Sequence, residues 1–396
     1  MPEAFIIDGV RTPIGRYGGA LAQTRPDDLA ALVLGEAVRR AGIDPALIDE
    51  VVFGSANQAG EDNRNVARMA VLLAGLPNTI PGFTVNRLCA SGLTAIATAR
   101  QIIAAGDAEL VLAGGVESMT RAPWVTEKPT KAFGKPGASF DTSIGWRFAN
   151  PAFDDDTTLS MPQTADRIAT QWGLTRDELD AFALRSHERA LDAIRGGHFT
   201  KEIVPVTVHG RDGHSQFSVD EGPRAGSSLE ALARLRPVNG PDGLVTAGNS
   251  SSLNDGAAAV VIASEAFIHA NGLTPRARLV AAANAGVDPA IMGIGPVPAT
   301  RKVLKRAGWN TADLDAIELN EAFASQALAC IRDLDLDEEI VNTDGGAIAL
   351  GHPLGCSGTR LTITLLGRLE RAGAHRGLAT MCVGVGQGTA LLLERP

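Results

Sequence analysis

Three reactive side chains stand in unusual local sequence. Cys89 lies in Asn86–Gly92, where a polar stretch turns into an apolar one, which predicts a position at the start of a helix. His352 and Cys382 each lie in glycine-rich sequence far downstream. The thiolate is the nucleophile in cysteine chemistry, and a helix start beside an imidazole is expected to lower the pKa of the Cys89 thiol. These residues indicate an enzyme that transfers acyl groups through a thioester.

Backbone N–H groups near two of these residues are suited to binding an oxyanion. The helix predicted after Cys89 is apolar nearly all round, and its first-turn amides would carry partial positive charge without intrahelical partners. Cys382 ends a predicted strand and leads into Gly384, where glycine lets backbone N–H groups crowd an oxygen. Asn320 follows another predicted strand, where α/β enzymes collect catalytic groups, although a helix cap is the commoner role for asparagine.

The other two cysteines carry less information. Cys330 lies in a predicted helix and is interpreted as a small buried hydrophobe, whereas Cys356 stays undecided. The chain has no Cys-x-x-Cys pair, so we expect free thiols and no zinc or redox site.

Composition narrows the class of protein. The 396 residues are 45% hydrophobic, 20% charged and 4% aromatic, which is typical of an alanine- and glycine-rich α/β enzyme of two or three domains. A net charge of −9 argues against nucleic acid as a partner, although a local basic patch for a phosphorylated small molecule stays open. No run reaches the ~18 to 20 uncharged apolar residues of a membrane helix, and the N-terminus does not resemble a signal peptide. We therefore expect no membrane partner and a cytoplasmic protein.

The chain contains an internal duplication. Ala41-Gly42 recurs as Ala307-Gly308, and Ser91-Gly92 recurs as Ser357-Gly358 at the same separation, each pair in an equivalent run of helix and strand. Strand and helix alternate in both halves, which predicts a mixed, mostly parallel sheet covered by helices.

The predicted domains follow from this repeat. Residues 1–119 with 249–270 form an N-terminal half, and 271–396 form a C-terminal half. Residues 120–248 interrupt the first half before its last strand and include an amphipathic helix from Thr175 to Arg195. Insertions of this length usually carry binding or lid functions.

With these motifs in place, the chain resembles the thiolases, or acetyl-CoA acyltransferases, over its whole length. The motifs that carry this resemblance are Asn86–Gly92, Gly115–Met119, Asn320–Ala324, Gly345–Pro353 and Cys382–Gly388. The resemblance implies a five-layered αβαβα fold, with the insertion as a loop domain that binds CoA. It also implies a homotetramer built from dimers, with coenzyme A as a substrate and no permanently bound cofactor or metal.

The resemblance also implies roles for single residues. Cys89 is expected to carry the acyl group, and His352 to activate it. Cys382 is expected to exchange a proton with the α-carbon of acetyl-CoA. Asn320 (through water) and His352 would donate to the thioester oxygen of acetyl-CoA. The backbone N–H groups of Cys89 and Gly384 would form a second oxyanion hole for the acyl-enzyme.

Four further positions are candidates for contacts with CoA: Ser251, Arg224, Ser160 and Met161. Ser251 corresponds to a pantetheine contact and Arg224 to a contact near the nucleotide end. Ser160, before Met161, replaces a histidine that many thiolases use, which leaves the surroundings of the acyl chain open. Asp344 stands where the family usually has asparagine, and the sequence offers no physical reason for it.

A more specific likeness is to the thiolases that cleave 3-oxoadipyl-CoA with CoA to succinyl-CoA and acetyl-CoA. It rests on Gly60–Met69, Phe140–Phe148 and Ser160–Pro162. The distal carboxylate of that substrate needs a cation or strong donors. Arg147, flanked by two aromatic residues, is the first candidate and Arg64 the second. A surface or interface ion pair is the alternative role for each.

Other functions stay open at this point. A general acetyl-CoA C-acetyltransferase or 3-ketoacyl-CoA thiolase would use the same catalytic residues. A non-catalytic acyl-CoA or lipid carrier with this fold would need no pair of placed thiols, so the two cysteines count against it. A condensing enzyme of fatty-acid synthesis would lack the second cysteine, Cys382.

Overall fold

The computed structural model describes residues 2–210 and 213–396. Its strands form one large sheet and two small two-stranded sheets. The strands are β1 (Ala4–Arg11), β2 (Gly15–Arg16), β3 (Glu50–Gly54), β4 (Gly82–Val85), β5 (Leu110–Ser118), β6 (Trp124–Thr126), β7 (Ser139–Asp141), β8 (Val206–Gly210), β9 (Gly213–Phe217), β10 (Asn254–Ser264), β11 (Ala277–Gly286), β12 (Ala316–Leu319), β13 (Arg376–Val383) and β14 (Gln387–Glu394). The two small sheets are the pairs β6–β7 and β8–β9.

Helices alternate with these strands. The α-helices are α1 (Pro26–Ala41), α2 (Val66–Leu73), α3 (Ser91–Ala105), α4 (Met161–Gln171), α5 (Arg176–Arg195), α6 (Leu229–Ala233), α7 (Glu265–Asn271), α8 (Pro296–Ala307), α9 (Ala324–Leu334), α10 (Ala347–Leu350) and α11 (Leu354–Ala372). Short 3₁₀ helices span Pro45–Leu47, Asp155–Thr158, Pro289–Ile294 and Thr311–Asp313.

The order of strands in the main sheet confirms the predicted duplication. The order is β12-β13-β14-β11-β1-β10-β5-β3-β4, with β2 paired to β10. Reading outward from the central pair, β1-β10-β5-β3 mirrors β11-β14-β13-β12. The pairs β3–β4, β3–β5 and β12–β13 are parallel and the remaining pairs of the main sheet are antiparallel, so both halves have a mixed topology. The prediction of a mostly parallel sheet is therefore wrong, because the long central strands pair antiparallel.

Five layers follow from where the helices pack. Helix α1 covers β10 and β5 on the outside of the first half, and α8 covers β11 and β14 on the outside of the second. Helices α3 and α11 lie against each other between the two halves. This central layer explains why α3 is apolar nearly all round. Leu88–Ala105 is apolar enough by length and composition to cross a membrane, but α3 is a core helix whose buried face packs on β5 and α11.

The two central helices touch through glycines at their first turns. A Cβ placed on Gly92 of α3 would lie 2.6 Å from the carbonyl oxygen of Gly355 in α11. A Cβ on Gly358 of α11 would collide with the backbone nitrogen of Leu93. Only residues without a side chain permit this approach, so the Ser-Gly repeat marks the contact between the two halves.

Element boundaries differ slightly from the sequence prediction. The helix that contains the Ser357-Gly358 repeat begins three residues earlier, at Leu354, because Pro353 takes the N-cap position. Thr175 caps the helix of the insertion through a capping box with Glu178 and does not belong to its body. The insertion precedes β10, as expected, while the domain boundaries themselves stay a prediction.

We predict that Gly358→Ala destabilises the protein by about 1–3 kcal/mol, the usual cost of overpacking a close contact. The urea midpoint of unfolding measures the effect. Gly367→Ala on the same helix is the control, because its Cβ would meet the flexible end of Arg371 at 3.1 Å rather than backbone. Equal midpoints for the two variants would contradict the tight helix contact.

Candidate active site

Cys89 occupies a strained loop immediately before α3. The preceding residue, Leu88, has a left-handed backbone with φ of 46°. Two side chains hold this turn: Asn86 Oδ1 accepts the Leu88 N–H at 2.8 Å, and Ser91 Oγ accepts the Arg87 N–H at 2.9 Å. A non-glycine residue in this conformation costs free energy and persists where the surroundings enforce it, as they often do at functional sites. Cys89 therefore lies at the start of a helix, as the sequence predicted.

The prediction of a low pKa for the Cys89 thiol is wrong. Burial raises the pKa of the Cys89 thiol to about 11, and Glu117 adds to the rise. The thiol accepts the backbone N–H groups of Gly384 and of Cys89 itself, which oppose the rise but do not cancel it. The sequence showed the helix start but not the burial, which penalises the charged form more strongly. Cys89 is a neutral thiol at pH 7.

Cys382 lies near the end of β13 and is almost completely buried. It packs in a small apolar cluster with Phe323 and Met292, against which Met161 also packs. Burial, and then the neighbouring Cys89, raise the pKa of Cys382 well above its ordinary value. The two thiols are therefore close enough to interact, and Cys382 keeps its proton at neutral pH.

His352 is a neutral imidazole with a defined tautomer. Its Nδ1 lies 2.6 Å from Ser357 Oγ, and that hydroxyl donates to the Pro353 carbonyl at 2.8 Å. The hydroxyl therefore accepts from Nδ1–H, which leaves Nε2 unprotonated with its lone pair as an acceptor. The backbone N–H of His352 donates to Asn254 Oδ1 at 2.9 Å. Burial, with a smaller effect of Arg360, lowers the pKa of His352 to about 3, so the ring is unprotonated at neutral pH.

Asn320 faces this imidazole. Its Nδ2 lies 3.4 Å from His352 Nε2, and both residues are buried. Asn320 follows β12 directly, and Phe323 caps the next helix, so the alternative role of Asn320 as a helix cap is wrong. Its Oδ1 is buried and has no hydrogen-bond partner among the described residues. A buried amide oxygen of this kind is suited to a donor from substrate or solvent.

The packing of the two halves brings the loops of Cys89 and His352 together. Cys89 lies three residues before Gly92, His352 lies three residues before Gly355, and these two glycines are in contact. The nucleophile loop also reaches the Cys382 hairpin, where Arg87 donates to Gln387 Oε1 at 3.2 Å. The loops that carry the imidazole and the two thiols thus meet at one end of the central helix pair.

Sequence reasoning missed Glu117 as a support of this site. Its buried carboxylate accepts backbone N–H groups from Ala56 at 2.9 Å, Asn57 at 3.1 Å and Gly355 at 2.8 Å. Burial raises the pKa of Glu117 to about 7, while the three N–H groups lower it. A single acid in the otherwise uncharged strand Leu110–Ser118 was the available signal.

The residues expected to contact CoA are not all close to the thiols. The Ser251 N–H donates to the Ala322 carbonyl at 3.0 Å, so Ser251 lies beside the Asn320 loop. Met161 packs on the Cys382 cluster, while Ser160 is exposed and forms the capping box of α4. Arg224 is exposed, and its backbone N–H donates to His187 Nδ1 at 3.3 Å.

The structure explains two residues that the sequence left open. Asp344 is buried and pairs with His198, at 2.7 Å between Nδ1 and Oδ1, and with Arg371 of α11. It therefore ties the start of the His352 loop to the insertion and to the central helix. Cys356 is buried in the core between the central helices and the sheet, where it acts as a small apolar residue.

The two cations expected for a substrate carboxylate differ in setting. Trp146 lies beside Gly384, since a Cβ on Gly384 would be 3.2 Å from its Cη2 atom. Arg147 is partly buried and donates from Nη2 to Asn57 Oδ1 at 3.2 Å. It is not held between aromatic rings as predicted, because Phe148 packs on Phe140 instead.

Arg64 is exposed, with a left-handed φ of 66°.

Comparison with known proteins identifies the family. The model of the thiolase N-terminal domain matches residues 4–266, and that of the thiolase C-terminal domain matches residues 273–395. The chain is 59% identical to beta-ketoadipyl-CoA thiolase of Pseudomonas aeruginosa, covering 99% of each chain. It is 54% identical to 3-oxoadipyl-CoA/3-oxo-5,6-dehydrosuberyl-CoA thiolase of Escherichia coli K12, covering 100% of each.

A solved structure agrees with the fold over its full length. The acetyl-CoA acetyltransferase of Bacillus anthracis is 44% identical and superposes with a TM-score of 0.94, over 100% of this chain and 99% of the other. Fold and family matches together define an acyltransferase. The chain belongs to the thiolase family, as its motifs had indicated.

We predict that Ser357→Ala slows acylation about tenfold, a part of what a positioned acid–base group contributes. The substitution removes the acceptor that holds the Nδ1–H tautomer of His352, so kcat should fall while KM changes little. Thr362→Val is the control, since that hydroxyl donates only to the Gly358 carbonyl within the same helix. Rapid-quench measurement of acylation by acetoacetyl-CoA reports the step directly. An unchanged rate would show that Ser357 does not orient the imidazole.

Proposed function

We propose that the protein catalyses thiolytic cleavage of 3-oxoadipyl-CoA by CoA to succinyl-CoA and acetyl-CoA. The observation that carries this proposal is an unneutralised cation, Arg147, beside the loops of a thiolase active site. The names of both relatives specify dicarboxylic 3-oxoacyl-CoA substrates, since beta-ketoadipyl and 3-oxoadipyl denote the same acyl group. Coenzyme A enters as a substrate.

In the first step Cys89 becomes the nucleophile. Because the thiol and the imidazole are both neutral, the proton of Cys89 passes to His352 Nε2 as sulfur attacks the C3 carbonyl of the substrate. A thiolate therefore forms only where an electrophile is present to take its charge. The N–H groups of Cys89 and Gly384 point at this sulfur and are suited to stabilise the oxyanion that develops on the attacked carbonyl.

In the second step the bond between C2 and C3 breaks. Its electron pair moves to the thioester fragment as an enolate, and the succinyl group stays on Cys89. Cys382 protonates the enolate carbon to give acetyl-CoA, a role that its raised pKa suits because the thiol is still protonated at pH 7. His352 and Asn320, next to each other, are suited to donate to the enolate oxygen.

In the last step the thiol of CoA gives its proton to the Cys382 thiolate and attacks the succinyl thioester. Cys89 leaves as a thiolate and takes back the proton held by His352, which releases succinyl-CoA and restores all three groups.

Ser251 is proposed as a contact of the pantetheine arm because it lies beside the Asn320 loop. Ser160 and Met161, at the start of α4, are proposed to border the acyl and pantetheine path near Cys382. Arg224 is proposed to meet the nucleotide end, where an exposed cation suits a phosphate.

The distal carboxylate of the substrate is proposed to bind Arg147. Of the described residues, none forms an ion pair with Arg147, and its one polar partner is the neutral amide of Asn57. The guanidinium therefore keeps its charge and most of its donors for a planar carboxylate. Arg64 is the second candidate. A homotetramer and a cytoplasmic location remain predictions.

Steady-state kinetics on three substrates test the proposal. We expect kcat/KM to be highest for 3-oxoadipyl-CoA, lower for 3-oxohexanoyl-CoA, which has the same length without the carboxylate, and lower again for acetoacetyl-CoA. A preference for 3-oxohexanoyl-CoA over 3-oxoadipyl-CoA would instead indicate a general 3-ketoacyl-CoA thiolase. No turnover of any of them would indicate an acyl-CoA carrier.

We predict that substitutions of the two active-site thiols affect different steps of the reaction. Cys89→Ala should lose all turnover and form no acyl adduct. Cys382→Ala should still form an acyl adduct on the Cys89 peptide, seen by mass spectrometry, but exchange deuterium into acetyl-CoA about 10²- to 10⁴-fold more slowly. Cys330→Ala, in α9, is the control and should retain both properties. An adduct confined to Cys382 would reverse the assignment.

We also predict that Arg147→Ala loses about 2–3 kcal/mol more transition-state stabilisation with 3-oxoadipyl-CoA than with 3-oxohexanoyl-CoA, because a charge-assisted hydrogen bond is left unmade. The ratio of the two kcat/KM values measures this difference. Arg64→Ala serves as the comparison and should leave the ratio unchanged. Equal losses on both substrates for Arg147→Ala would mean that the residue only supports its loop.

A further inference from the structure

Asn57 is the partner that holds Arg147, and it is neutral. The Arg147 Nη2 group donates to Asn57 Oδ1 at 3.2 Å, and both side chains are partly buried. A fully buried arginine is usually paired with a carboxylate, as Arg11 and Arg360 are in this protein, whereas the partly buried Arg87 is held by neutral side chains. Arg147 is fixed by an amide instead, which orients the guanidinium without neutralising it.

The direction of the Asn57 amide is determined by its other end. Its Nδ2 group donates to Thr142 Oγ1 at 2.9 Å and approaches the Thr142 carbonyl at 3.3 Å. The Thr142 hydroxyl in turn donates to the Pro123 carbonyl at 2.6 Å, so it can only accept from Asn57. The amide nitrogen must face Thr142, and the amide oxygen therefore faces Arg147.

The backbone of Asn57 joins this arrangement to the catalytic loops. Its N–H donates to Glu117, which also accepts the N–H of Gly355 at the start of α11. The neighbouring Ala56 carbonyl accepts from Asn86 Nδ2 at 2.9 Å, and Asn86 belongs to the turn that carries Cys89. Two short links thus set the position of Asn57 relative to both central helices.

From these contacts we propose that Asn57 is a positioning residue for substrate specificity, which holds Arg147 as an uncompensated cation for the distal carboxylate of a dicarboxylic acyl-CoA. The inference rests on the proposed function of Arg147. A carboxylate at position 57 would have nearly the same shape but would pair with the guanidinium and compete with the substrate. An asparagine supplies the hydrogen bond and leaves the charge to the ligand.

Asn57→Asp tests this directly. The ratio of kcat/KM for 3-oxoadipyl-CoA to that for 3-oxohexanoyl-CoA should fall about 10- to 100-fold, the scale of a hydrogen bond to a charged group. The loss should lie mainly in KM, because the acyl-transfer residues are untouched. Gln58→Glu is the matched control: it adds the same charge one residue away, on a side chain that contacts the Ser55 carbonyl and not Arg147. Its ratio should be unchanged.

A double-mutant cycle separates this inference from the function it rests on. In an Arg147→Ala background, Asn57→Asp should no longer change the substrate ratio, because the cation that it would neutralise is absent. A change that persists in that background, or one that Gln58→Glu reproduces, overturns the role of Asn57. Failure of Arg147→Ala itself to change the ratio overturns the proposed carboxylate site instead.

A further variant covers the case in which the aspartate disturbs folding. Asn57→Ala removes the acceptor without adding charge, so the ratio should fall by less than in Asn57→Asp and again only when Arg147 is present. An unchanged ratio in Asn57→Ala, with the protein folded by circular dichroism, would show that Arg147 needs no positioning by this amide and would overturn the proposal.

Discussion

The close approach of α3 and α11 through glycine is the constraint on which the site depends. Gly92 meets the Gly355 carbonyl, and Gly358 meets the backbone of Leu93, so the first turns of two buried helices share one volume. Each helix follows directly on a loop with a reactive residue. Because the helices meet at their first turns, the two loops lie at the same end of the helix pair. The two halves of the duplicated chain therefore combine into one site rather than two.

Burial at that contact determines the chemistry as much as residue type does. The pKa of Cys89 and the pKa of Cys382 are both raised, whereas that of His352 is lowered to about 3. All three groups are thus neutral at pH 7, although an isolated thiol–imidazole pair could have been expected to form an ion pair. The three side chains of such a site carry no charge until a substrate oxygen can accept it, and nearby backbone N–H groups are placed to stabilise that oxygen.

The cation that we propose for the substrate carboxylate belongs to a different part of the chain. Trp146 and Arg147 belong to the insertion, which has little regular structure between β6 and α4. They gain position by touching the rigid framework, Trp146 at Gly384 and Arg147 at Asn57. Such a loop can vary without disturbing the thiols, because Cys89, His352 and Cys382 lie on the two duplicated halves rather than on the insertion.

The sequence by itself determined the duplicated α/β fold, the loops of Cys89 and His352 and the hairpin of Cys382, because strand–helix alternation and glycine placement are local and periodic. It did not determine the neutral state of the thiols or the hydrogen bond between Arg147 and Asn57. It suggested that aromatic residues flank the Arg147 side chain, whereas in the structure the partner of Arg147 is Asn57. Only tertiary structure decides these features. A pKa depends on how much of the whole molecule excludes water from a group, and a hydrogen bond between residues 57 and 147 depends on how an insertion folds back across a distant loop.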